Sequence, residues 1–170
     1  MAADIHVSVQ AHCFDLAAET EQLTASASQG DSSELGAIAS FVGLVRGSEP
    51  DDVQAALSKD RGALQALEIE HYPAMTQRFI ETICQQASQR WPFLACRVVH
   101  RTGRLKVGEP IVMVLVASRH RNNGFAACEF IMDYLKTSAP FWKKALFEHG
   151  EQWVEAKRSD QQALDKWRSK

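Results

Sequence analysis

Residues 111–135 read IVMVLVASRHRNNGFAACEFIMDYL, and two different periods meet in the middle of that run. Ile111 to Ala117 is unbroken apolar sequence rich in β-branched residues, which predicts a buried strand. Beyond it, Phe125, Cys128, Met132 and Leu135 recur at three- and four-residue intervals, the stripe of an amphipathic helix. Asn122-Asn123 is the expected cap of that helix, and Pro140 bounds it on the far side. The junction itself, Ser118-Arg119-His120-Arg121, puts two arginines and a histidine where free backbone N–H groups and the positive end of the helix dipole meet. Cations oppose that dipole and need another reason to be there. An anion site, above all a phosphate site, supplies one; exposed turn residues at a strand end are the plainer alternative.

Working outward, the N-terminal half predicts a strand at Ile5–Val9, a helix over Leu16–Ala27, a Ser/Gly loop at Ser28–Ser33 and a buried strand over Leu35–Val45 interrupted by Gly43. A loop follows from Gly47 to Asp52, then a helix-like piece through Lys59 and a break at Gly62. Leu64–Tyr72 reads as a strand, and Pro73 opens a helix with its stripe at Met75, Phe79, Ile83 and Ala87, ended by Trp91-Pro92. Leu94–His100 is another strand, joined to Ile111–Ser118 by a segment from Gly103 to Pro110 that can itself pair. Phe141–Phe147 and Gln152–Val154 flank His149-Gly150 as a hairpin, and Ser159–Lys170 is a polar tail with a short, lightly packed helix. Strands and helices mix without strict βαβ alternation, so the fold class is α+β.

A chain of 170 residues with 45% hydrophobic and 24% charged residues builds one ordinary globular domain, which excludes disorder, collagen and a disulfide miniprotein. The net charge of −2 conceals an asymmetry: residues 1–85 hold four Lys/Arg against thirteen Asp/Glu, and residues 86–170 hold fifteen against eight. That points to an anionic ligand or acidic partner on the C-terminal half, unless the halves only complement each other within the fold. Cys13, Cys84, Cys96 and Cys128 form no C-x-x-C pair, which suits a reducing compartment; core packing is the expected role of Cys84 and Cys128. The N-terminus lacks the pattern of a signal peptide and no apolar run spans a bilayer, so the expected location is the cytoplasm, with no membrane partner.

Beyond the junction, Lys136 near the helix end and Lys143-Lys144 past Pro140 are the next candidates. Lys136 has a bland explanation, since a cation suits a helix C-terminus and Asp133 lies one turn back. Clustered cations would instead depress one another's pKa and make an amine fit for base or nucleophile chemistry. Arg46 ends the long strand, pointing either into a cleft or into water; Glu70-His71-Tyr72, at another strand end, is equally open. Six histidines without H-x-x-x-H or carboxylate pairing make a metal site unexpected, and no P-loop, G-x-G-x-x-G or G-x-S-x-G occurs. The cations are not interleaved with aromatic residues, so no nucleic-acid partner is expected.

FVGLVR (Phe41–Arg46), LEIEHYPAM (Leu67–Met75), SRHRNNGFAACEFIMDYLKTSAPFWKK (Ser118–Lys144) and WVEA (Trp153–Ala156) together resemble the large, catalytic subunit of molybdopterin synthase. The resemblance runs from about Leu35 to Trp167 and its central block is ungapped. It implies an α/β hammerhead fold with an additional antiparallel sheet, in a single domain over residues 1–170. It also implies sulfur transfer from the C-terminal thiocarboxylate of a small ubiquitin-like partner to cyclic pyranopterin monophosphate, giving the molybdopterin dithiolene. No resident cofactor or metal is implied. The implied assembly is a heterotetramer, a central dimer of large subunits with one small subunit at each end. By position, Lys136 and Lys143 match the family's active-site lysines, and Arg46, His120 and Arg121 match residues lining the substrate pocket. Lys157 stands where an arginine is common and is expected to reach the same pocket from the neighbouring subunit. Two departures bear on substrate and partner: a loop insert at residues 47–63, and Lys144-Ala145 where an acidic residue is expected behind the second lysine. A homologue that binds the ubiquitin-like protein without turnover is the alternative.

Overall fold

The computed structural model describes residues 2–28, 32–47, 61–154 and 164–167. Its elements are β1 (Asp4–Gln10), α1 (Leu16–Ala27), β2 (Ala37–Leu44), β3 (Leu64–His71), α2 (Pro73–Arg90), β4 (Ala95–Arg101), β5 (Gly103–Lys106), β6 (Pro110–Ser118), α3 (Arg121–Thr137), β7 (Phe141–Phe147) and β8 (Glu151–Trp153). They form two four-stranded sheets, ordered β1-β4-β6-β2 and β5-β3-β7-β8. Only the β1–β4 pairing is parallel. The α+β class is therefore correct, and the second sheet is wholly antiparallel.

The first sheet is covered on both faces. On one side Leu23 of α1 packs with Ala95, Val99, Met113, Leu115 and Ala117. On the other, Ile80, Ile83 and Cys84 of α2 and Phe130 and Ile131 of α3 pack against Cys96, Val98, Val114 and Val116. Every residue of β4 is buried, and all of β6 but Pro110, which is why these strands read as continuous rather than alternating apolar sequence. Asp15 caps α1 by accepting from the N–H groups of Ala17 (2.9 Å) and Ala18 (3.3 Å). Gly124 lets α3 lie close on the sheet, since a Cβ there would stand 3.0 Å from Ser118 Oγ and 3.3 Å from Ala39 Cβ.

Four expectations need correction. The Leu35–Val45 segment is not a buried strand: β2 is a sheet edge, and Ile38, Phe41, Val42 and Leu44 are exposed. An apolar run does not distinguish a central strand from an edge whose apolar face awaits other cover. The cap of α3 is His120 rather than Asn122-Asn123, and makes no side-chain capping bond. The buried stripes sit one position off in part: Thr76, Ile80 and Cys84 face the core in α2, and Ala127, Phe130 and Ile131 join Cys128 and Leu135 in α3, leaving Met75 and Phe125 exposed. Lastly, the described part of the tail, residues 164–167, is not lightly packed. A helical turn at 164–167 buries Leu164 and Trp167, with the Trp167 ring edge-on to Trp91 and Phe130 at 5.2 and 5.4 Å. The predicted helix-like piece through Lys59 and most of the 47–63 insert lie outside the described residues.

Candidate active site

Lys136 occupies the last turn of α3, where its charge suits the dipole, and its side chain is exposed. The Asp133 carboxylate one turn back has other partners: its Oδ2 accepts from Trp167 Nε1 at 2.8 Å and pairs with Lys166 Nζ at 2.9 Å. The chain then turns through Ser138-Ala139-Pro140, with the Phe141 N–H donating to Ala139 O at 2.7 Å and the buried Thr76 hydroxyl donating to Pro140 O at 3.4 Å. This turn delivers β7, so the two candidate lysines flank one tightly held corner.

Sheet periodicity separates Lys143 from Lys144. Lys143 pairs across the ladder with Ile69, and Phe141 with His71. Cross-strand partners share a face, and Ile69 is 2% exposed within the core, so Lys143 leaves the inner face of β7. Lys144 leaves the outer face, where its Nζ meets Glu151 at 3.2 Å and sits 4.7 Å from the Trp153 ring centroid. Ala145, where an acidic residue is expected, is buried.

His100, at the end of β4, joins this inner face. It is 3% exposed, stacks on Phe141 with centroids 3.8 Å apart, and shares a 2.8 Å hydrogen bond between Nδ1 and Arg101 O. Burial pushes its pKa down to about 3, helped by the nearby Lys143 charge and His71, and opposed by the Arg101 bond. His71, whose ring centroid lies 6.2 Å from that of Phe141, has a buried Nδ1 without a hydrogen-bond partner. His100 gave no sequence signal because it ends an apolar run, where a polar residue looks like the strand's exit into water. Among the described residues no cluster of His, Cys, Asp or Glu is arranged to hold a metal.

Arg46 is exposed just beyond β2. The backbone before it is pinned to the β5–β6 turn, with Val45 N–H donating to Glu109 O at 2.9 Å and Gly108 N–H donating to Val45 O at 2.8 Å. Gly43, Val112 and His100 lie in one row across the first sheet, so Arg46 belongs to the end of that sheet where His100 and Lys143 stand. His120 and Arg121 are exposed at the other end, beyond Ser118. Lys136 stands fifteen steps along the helix from Arg121, about 22 Å at 1.5 Å per residue. Arg46 therefore lies toward the His100 end of the first sheet, and the His120/Arg121 pair lies at the opposite end, remote from Lys136. Lys157 lies outside the described residues.

Comparison with known proteins gives these positions a context. The family model of the MoaE protein matches residues 9–138. The molybdopterin synthase catalytic subunit of Cereibacter sphaeroides is 46% identical over 163 residues, covering 96% of this chain and 100% of that protein. The solved molybdopterin biosynthesis MoaE protein of Burkholderia ambifaria superposes with a TM-score of 0.74 at 42% identity, covering 96% of this chain and 97% of that one. A complex of subunits 1 and 2 of the molybdopterin-converting factor from Helicobacter pylori shares the fold, with a TM-score of 0.63 at 21% identity over 89% of this chain and 90% of that one. With three quarters of its length inside the family model and near-complete overlap with relatives above 40% identity, this chain belongs to the MoaE family.

Proposed function

We propose that this chain is the catalytic, sulfur-transferring subunit of a molybdopterin synthase. It takes sulfur from the C-terminal thiocarboxylate of a small ubiquitin-like partner and places it on cyclic pyranopterin monophosphate to build the dithiolene. The observation that carries this reading is the pairing of full-length 46% identity to a molybdopterin synthase catalytic subunit with Lys136 and Lys143 on either side of one braced corner. Lys136 and Lys143 stabilise developing negative charge and move protons as the sulfur attacks and the phosphate oxygen departs. Arg46 supplies a further cation to the anionic substrate.

His120 and Arg121 reach the substrate from a second copy of the chain, because their own copy holds them about 22 Å from Lys136 along α3. The exposed apolar edge of β2, with Ile38, Phe41, Val42 and Leu44, favours such a dimer as the centre of a heterotetramer. Lys157 joins the pocket from the same neighbouring copy. The chain acts as one domain over 1–170 with an insert at 47–63. It works in the cytoplasm, a reading supported by four free cysteines. No helix among the described residues is long and apolar enough to cross a membrane.

Reconstitution tests the proposal: purified chain, thiocarboxylated small partner and cyclic pyranopterin monophosphate, with detection of the dithiolene. Product that depends on the thiocarboxylate is expected. A stable complex without product would instead favour a binding module that no longer turns over.

A further inference from the structure

His100 is the most buried ionisable group beside the braced corner, and it takes no part in the chemistry assigned above. Three contacts fix its ring. Its plane lies 17° from that of Phe141 with centroids 3.8 Å apart, its strand neighbour Val112 holds the backbone in register, and Nδ1 meets the Arg101 carbonyl at 2.8 Å. A carbonyl oxygen only accepts, so Nδ1 carries the proton and the neutral ring keeps its acceptor lone pair on Nε2. Arg101 is itself anchored, donating to Ala11 O at 3.3 Å and Pro110 O at 2.9 Å, which holds the carbonyl that sets the tautomer. Phe141 and Lys143 leave the same face of β7 two residues apart, about 7 Å along the strand, so the lysine stem runs beside the stacked pair.

We propose that His100 is a positioning residue for Lys143: as an uncharged, stacked imidazole of fixed tautomer, it offers the lysine a wall and an acceptor where a mobile or cationic group would displace the ammonium. Two titratable groups act on it, Lys143 from β7 and His71 from β3, while Arg101 acts through its backbone carbonyl and turns its guanidinium to Ala11 O, Pro110 O and the Glu109 carboxylate. Lys143 is cationic and His71 cationisable, so an added proton on His100 would raise the repulsion on Lys143; burial, which pushes the His100 pKa down to about 3, keeps the ring neutral near pH 7. This inference rests on the assignment of Lys143 to catalysis.

Three variants test it, with Lys143→Ala as the reference for that assignment. His100→Phe keeps an aromatic stack on Phe141 and removes the acceptor; His100→Gln restores an acceptor at nearly the same reach. In the reconstituted reaction His100→Phe is expected to lower kcat about tenfold with the KM for the pterin unchanged within about twofold, and His100→Gln to recover most of the loss. A second readout is independent of turnover: acetylation of Lys143, scored by mass spectrometry against Lys144 on the opposite face. It is expected to rise several-fold in His100→Phe, because an ammonium that has lost its acceptor yields its proton more easily, and to return in His100→Gln. Wild-type kcat and labelling in His100→Phe, with Lys143→Ala inactive, would overturn the role of His100 alone. Equal loss in both His100 variants, in step with lowered melting temperature and unchanged labelling, would reduce it to packing. Full activity in Lys143→Ala would remove the assignment beneath it.

Discussion

The two ends of α3 carry cations for opposite reasons. At the C-terminal end Lys136 agrees with the helix dipole, stands one turn from an Asp133 already held by Trp167 and Lys166, and leads into the corner that presents Lys143. At the N-terminal end His120 and Arg121 oppose the dipole, make no side-chain cap at His120 and are exposed just beyond the buried end of β6. A cation that local physics favours says little about function until its neighbours are known. A cation that local physics disfavours asks for an anion, and in the function proposed above the substrate held by a second copy of the chain supplies it. In the proposed dimer, a single helix would serve two pockets, one with each end.

The sharpest break of this comparison is Lys136→Ala. It is expected to reduce product formation by about 100-fold or more while leaving the melting temperature and partner binding nearly unchanged. Wild-type turnover would remove Lys136 from the chemistry. The two-pocket arrangement is tested by mixing inactive chains. Lys136→Ala and Arg121→Ala proteins, dissociated and reassociated together, are expected to regain about a quarter of wild-type turnover, because half the dimers are mixed and each mixed dimer has one intact site. No regain would place both groups in one chain's pocket.

Trp167→Ala tests the scaffold behind the C-terminal end. Loss of a Trp side chain 6% exposed, packed on Trp91 and Phe130 and bonded to Asp133, is expected to cost about 3–5 kcal/mol in urea unfolding. A cost under about 1 kcal/mol would mean the turn at 164–167 is a loose appendage. The smallest effect belongs to Lys144→Ala. Its partner Glu151 is mostly exposed, so stability should change by less than about 1 kcal/mol and turnover hardly at all. A large loss of activity there would undo the distinction drawn from strand periodicity.

Legibility in the sequence followed the range of the interactions. The strands and helices were readable where a local period or punctuation specified them: Pro73 at the start of α2, the hairpin at His149-Gly150, and the Ile111–Ala117 run in β6. Misreadings came where burial depended on what lies across the sheet. The apolar run of β2 looks like that of β6, yet one is an edge and the other a centre. The polar tail concealed Leu164 and Trp167, two side chains whose partners, Trp91 and Phe130 among them, lie more than 30 residues earlier in the chain. At the candidate site, residue types and the resemblance named the lysines and the basic junction, while His100 stayed hidden because its neighbours Phe141 and Lys143 belong to the other sheet.

By itself the sequence determined the α+β class, the free-thiol chemistry, the order of the main elements and the family, because each rests on local periodicity or on residue identity along the chain. Only the tertiary structure decided which lysine of Lys143-Lys144 faces inward and which faces Glu151, since strand parity acquires meaning from the core it packs against. It also decided that Arg46 lies at the His100 end of the first sheet and that His120 and Arg121 lie at the other. That separation is a matter of length: a rigid helix keeps its two ends about 22 Å apart however close their side chains are in chemistry.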